Sequence, residues 1–144
     1  MKYLARFLCG ILTVCLLESA CAADDRDVVA YRQVLMKALD EQSAVIGQIL
    51  SGAVPDNNLS LHLESVAFLA SMVGGAFEAK VAGGESKQEV WGDWAGFSKR
   101  ADEFARRTGL VAEKAKRQGK DAVMSEIVDA LDCKGCHDKY RQKL

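Results

Sequence analysis

The chain has 144 residues, with 19 basic and 20 acidic side chains and a formal net charge of −1. That balance excludes the one-signed surface expected of a nucleic-acid binder and gives no pull towards a membrane surface. Its length past a short leader suits one domain.

In chain order, residues 1–22 have the pattern of a cleaved export signal. Lys2 and Arg6 give a positive start, and Phe7 to Leu17 is an apolar run broken only by Gly10 and Thr13. Ala20-Cys21-Ala22 then offers a cleavage site. The run is shorter than the about 20 residues a spanning helix needs, so no stable membrane insertion is expected after cleavage. Cys21 raises a lipoprotein alternative, but Glu18 stands where that signal wants a branched aliphatic. Cleavage removes Cys9, Cys15 and Cys21 and leaves only Cys133 and Cys136, which excludes a disulfide-stapled fold. The mature segment, residues 23–144, keeps 17 basic and 19 acidic residues, a net charge of −2.

Four helical stretches are predicted in it. The first runs from about Asp25 to Leu50, with apolar residues at Val28, Leu35, Leu39, Val45, Ile46 and Ile49; Gly52 and Pro55 end it. The second starts near Asp56–Leu59, where Asp and Asn side chains can cap free amides. It continues through Leu63, Val66, Phe68, Leu69 and Met72 towards Phe77, across the Gly74-Gly75 pair. Gly83-Gly84-Glu85-Ser86 reads as a loop. The third is the cleanest: Trp94, Phe97, Ala101, Phe104, Thr108, Val111 and Ala115 alternate three- and four-residue steps, and Gly119 breaks it. The fourth runs from about Asp121 through Val123, Ile127, Val128 and Leu131 into a C-terminal cysteine motif. Amphipathic helices with short connections and no period-two run predict an all-α fold, an antiparallel four-helix bundle.

The motif is Cys133-Lys134-Gly135-Cys136-His137. On a helix its two thiols and the imidazole share one face. A C-x-x-C-H string reads as a site of covalent haem attachment, with both thiols consumed as thioethers and His137 placed to bind the iron. A thioredoxin-like pair would need a βαβ context, and a zinc site would need further ligands at suitable spacing. The sequence offers neither. One haem c is therefore expected, and the export signal agrees with it, because such attachment occurs outside the bacterial cytoplasm. The expected location is the periplasm.

With that motif at the C-terminus rather than the N-terminus, the chain resembles the class II c-type cytochromes, the cytochrome c′ family and its low-spin, methionine-ligated relatives. The resemblance spans residues 25–144 and implies a four-helix bundle with covalently bound haem. Arg141 matches the family's arginine four residues after the histidine. Tyr31-Arg32-Gln33-Val34-Leu35-Met36 matches the first helix, where the residue four after the arginine faces the distal side of the haem. Members with an open iron often carry leucine there, and low-spin relatives carry methionine. The resemblance thus implies Met36 and His137 as iron ligands. It also implies Arg32 beside a haem propionate and Arg141 shaping the proximal environment. Glu89-Val90-Trp91 resembles the aromatic segment before the third helix, with a packing role for Trp91. Met36 could equally be core filler. Met72 and Met124 are expected in the core, and His62, without motif support, on a partly exposed face.

The expected function is that of a periplasmic electron carrier with His/Met-ligated low-spin haem, not an enzyme, passing electrons to redox partner proteins as a monomer or homodimer. The alternative is a high-spin protein that binds NO or CO at an open distal site. Lys134, Lys139, Arg141 and Lys143 form a basic cluster beside the motif, and docking of an acidic partner there is the corresponding expectation.

Overall fold

Asp24 opens the first helix. Its carboxylate accepts from the Arg26 amide at 3.0 Å, and Asp25 and Asp27 place negative charge on the positive end of the helix. This helix, α1, spans Asp25–Leu50, and buries Leu35, Leu39, Ile46 and Ile49 along one side. The computed structural model describes residues 24–143, so the export segment, residues 1–22, lies outside the described residues.

The second predicted helix is two pieces, α2 (Leu59–Ser71) and α3 (Val73–Ala76), separated at Met72. No side chain caps the start of α2. The Asp56 carboxylate lies instead 3.6 Å from Lys120, so the capping expected there is absent. The third is α4 (Glu89–Gly92) followed by α5 (Trp94–Gln118). Asp93 divides them: its backbone leaves the helical range, and its carboxylate caps α5 by accepting from the Gly96 amide at 3.2 Å. The fourth is α6 (Met124–Ala130) and α7 (Cys133–Tyr140). There the break is made by Asp132, which accepts from the Gly135 amide at 2.9 Å and starts a new helix at the motif. Each aspartate offers an amide a local partner that a continuous helix would deny it.

These pieces form the four rods of an antiparallel bundle. Contacts from Tyr31 to Met72 and from His62 to Gln42 set α1 against α2 in opposite directions. Contacts of Lys116 with Glu64 and Lys120 with Asp56, and of Lys114 with Glu126 and Arg107 with the Asp129 carbonyl, do the same for α5 with the second rod and with α6. The most extensive pairing is α2 on α5. Leu63, Val66 and Ala70 meet the α5 side that carries Ala101, Thr108, Val111, Ala112 and Ala115. Thr108 is fully buried and satisfied, its hydroxyl donating to the Phe104 carbonyl at 2.8 Å. Met124 is exposed, contrary to the expectation of a core position, whereas Met72 packs against the core. No helix among the described residues is long and apolar enough to cross a membrane.

Below this core Phe97 gathers an aromatic cluster, with Phe77 at 5.1 Å, Trp94 at 5.6 Å and Tyr140 edge-on at 5.2 Å between ring centroids. Tyr140 brings the end of α7 into the cluster. Its hydroxyl donates to Asp93 at 2.9 Å, fastening the motif helix to the start of α5. This contact fixes where the cysteine motif sits.

Candidate functional site

The short helix α7 carries Cys133, Cys136 and His137 within one turn, so the three share a face. Cys136 and His137 are half-buried and Cys133 is exposed. Both cysteines are free thiols. Burial pushes the Cys136 thiol above its ordinary value, and the more exposed Cys133 in the same direction, with the Asp132 carboxylate adding to it at both. Such thiols stay protonated at neutral pH in the bare chain. Burial, and then the Arg141 guanidinium, push His137 below its ordinary value. Its imidazole is therefore neutral near pH 7 and has a lone pair to offer a metal.

α1 packs along α2 and reaches α3, but makes no extended contact with α6 or α7. Its Asp40, one turn beyond Met36, is nonetheless close enough for its charge to act on Cys133 and His137. The Met36 stretch of α1 therefore lies near the motif without packing extensively on α7. Met36, Leu131 and Cys136 are partly buried against the edge of the core. Arg100 of α5 is near enough to act on Cys136. Among the described residues no three His, Cys, Asp or Glu side chains are grouped to hold a metal by themselves. The residues fit a metal carried by a macrocycle that two thiols anchor. A surface depression of about 490 Å³, lined by Trp94, Ser98, Asp102 and Arg106 among others, is an open face of α5 alone and has no part in this site.

Arg32, one turn before Met36 on α1, is only 3% exposed. Its Nε donates to the Ala76 carbonyl at 2.8 Å, Nη1 to Val81 at 2.6 Å and Nη2 to Ala79 at 2.5 Å. The cation also lies over the Phe77 and Trp91 rings, at 4.8 and 5.2 Å. Three of the five N–H groups of a guanidinium are thus spent on carbonyls, and a propionate could claim only the other two. Trp91 packs as expected and donates its indole N–H to the Phe77 carbonyl at 2.8 Å. His62 is half-buried with Nδ1 2.8 Å from the Gln42 amide oxygen.

Arg141 follows α7 and pairs with Glu85; Lys134 pairs with Asp138 and Lys139 with Asp93. Three of the four charges in the expected docking cluster are thereby matched by carboxylates. Two of those carboxylates, Glu85 and Asp93, come from distant parts of the chain, with no local pattern that marks them. Asp40 and Arg100 carry no sequence signal either, because only the folded arrangement brings them to the motif.

An all-helical bundle with C-x-x-C-H on its last helix defines a c-type cytochrome of the four-helix class. The family model for cytochrome c′ matches residues 27–141, and the chain belongs to that family, whose cofactor is a covalently attached c-type haem. Cytochrome c′ of Rubrivivax gelatinosus is 28% identical over 128 residues, covering 81% of this chain and 95% of that protein. Among solved structures, a nitric oxide complex of a cytochrome c prime variant from Alcaligenes xylosoxidans is 25% identical. It covers 85% of this chain and 99% of that one, with a TM-score of 0.77. A carbon monoxide-bound variant of the same protein is 26% identical, with 84% and 98% covered and a TM-score of 0.76.

These relatives overturn the expectation of a low-spin His/Met electron carrier. They are cytochromes c′, and two were solved with a diatomic gas bound. A gas ligand needs a coordination position that no side chain keeps. With the low-spin reading goes the role of Met36 as second axial ligand of a closed iron.

Proposed function

We propose that the protein is an exported cytochrome c′ that binds a small diatomic gas, NO or CO, on the α1 side of its haem. The observation that carries this is the Cys133, Cys136 and His137 face of α7, in a chain whose relatives were solved with those gases. When bound, the haem would supply an iron able to take up the gas. The protein's residues would do the rest. Cys133 and Cys136 would anchor the macrocycle, and neutral His137 would bind its iron. Met36, half-buried on α1, lines the opposite side with an apolar thioether and displaces water from it. Arg32 fixes α1 to the segment 76–81. The role is binding and not turnover. The leader pattern of residues 1–22 supports a periplasmic location.

Optical spectra of the purified holoprotein in both oxidation states test the reading. A five-coordinate, high-spin ferrous spectrum that changes on adding CO or NO is expected, and Met36→Ala should leave the spin state unchanged. A low-spin spectrum in both states, indifferent to CO in the wild type and turned high-spin by Met36→Ala, would reverse the assignment.

A further inference from the structure

The end of α7 is held by a loop from elsewhere in the bundle. A helix leaves its last carbonyls without partners in the helix, and here the loop before α4 supplies them. The Lys87 ammonium reaches the Asp138 and Lys139 carbonyls at 3.2 and 3.4 Å, and the Lys87 amide donates to the Tyr140 carbonyl at 2.9 Å. The Gln142 amide donates to the Glu85 carbonyl at 2.8 Å, and Ser86 and Arg141 pair as a single antiparallel bridge. The Arg141 guanidinium donates to the Glu85 carboxylate.

The same loop is fastened to α1. Arg32 takes the carbonyls of Ala76, Ala79 and Val81. Gly83, at φ +140°, lies so close to α1 that a Cβ there would come within 2.9 Å of a Val29 methyl. Gly84, at φ +59°, sits against Val29 and Gln33. One short segment therefore grips both the helix opposite the motif and the helix that carries it. Arg141 is one turn beyond His137, and its amide donates to the His137 carbonyl at 3.0 Å. The Arg141 and Glu85 charges both reach the imidazole, with opposite sign.

We propose that Glu85 is a positioning residue for the proximal iron ligand. By pairing with Arg141 it fixes the turn that follows His137 and cancels the guanidinium charge beside the imidazole, so the loop sets the field at the haem iron. The inference rests on His137 as proximal ligand. The Glu85 and Arg141 side chains are 39% and 43% exposed, and an ion pair that open contributes little to stability. Its effect belongs to the site. Ferric haem carries one more positive charge than ferrous, so an uncompensated guanidinium nearby favours the ferrous form.

The test uses the holoprotein as wild type, Glu85→Gln, Arg141→Gln, the double variant and Glu85→Asp. Reduction potential is measured at low and high salt, the ferrous iron–histidine stretch by resonance Raman, and the unfolding midpoint by circular dichroism. Glu85→Gln should raise the potential, Arg141→Gln should lower it, and the double variant should return close to wild type. The shifts should shrink in high salt, as expected of exposed charges. The iron–histidine band should move in Glu85→Gln while the unfolding midpoint stays put. Glu85→Asp keeps the charge and should keep the wild-type potential, and it serves if the glutamine variant fails to fold. Wild-type potential and band in Glu85→Gln would overturn the proposal. No iron–histidine band in the wild type would overturn the ligand assignment beneath it, a distinguishable result.

Discussion

The two long sides of the bundle solve the same packing problem differently. Between α2 and α5 the filler is protein. Leu63 and Val66 press against a side of α5 made of Ala101, Thr108, Val111, Ala112 and Ala115, all buried, and these small residues let the helices approach closely. Between α1 and α7 no comparable set of side chains meets. Met36 and Cys136 stay half-buried at the rim, and what ties this side together is peripheral: Arg32, the loop 79–87 and the turn after His137. One side is a core in its own right, and the other is held at its margins.

Removing the cofactor is the largest perturbation this contrast allows. The double variant Cys133→Ala/Cys136→Ala should lose all covalently attached haem, read as a mature mass equal to the bare polypeptide. Hydrogen exchange should then accelerate in α6 and α7, while amides of Leu63, Val66 and Val111 keep their protection. Equal loss of protection on both sides would break the comparison. The converse change is Leu63→Ala, at a side chain 1% exposed. It should cost about 2–5 kcal/mol in denaturant unfolding. The haem spectrum should not change. A changed spin state in that variant would mean that the two sides are not independent.

How far the sequence reveals this division depends on how local the cause is. The bounds of α1 are legible because Asp24 and Gly52 lie next to them, and the period of α5 picks out Phe97, Ala101, Thr108, Val111 and Ala115 as its inner side. The motif is legible because three residues within five positions carry its chemistry. The breaks at Met72, Asp93 and Leu131-Asp132 are not. The apolar period runs through them, and at Asp93 and Asp132 a carboxylate's choice of amide interrupts the helix. The partners of the basic cluster are invisible for another reason. Lys139 and Arg141 meet carboxylates 46 and 56 positions away, and no short-range pattern encodes such a meeting. Met36 shows a third limit: a thioether on an inner face is compatible with ligation and with packing, and only the kinship to gas-bound cytochromes c′ separates them.

The smallest expected effect lies where the two sides join, at Asp93. Its carboxylate caps α5 and accepts from the Tyr140 hydroxyl at 2.9 Å, and it pairs with Lys139 at the end of α7. Hydrogen bonds from Lys139 and then Tyr140 hold it below the ordinary aspartate range. A folded-state pKa below the unfolded value means that the charged form contributes stability above the unfolded pKa, about 4, and loses it as the pH falls through the folded value. Asp93→Asn keeps an oxygen for the cap but gives up the charge. The variant should unfold a few degrees below wild type at neutral pH. That difference should begin to narrow below about pH 4, the unfolded value, and close as the pH falls through the lower folded value, where native Asp93 becomes protonated. A difference that persists unchanged into acid would mean that the charge is idle and that shape alone joins α5 to α7. A difference that closes shows the carboxylate fastening the motif helix to the protein-packed side.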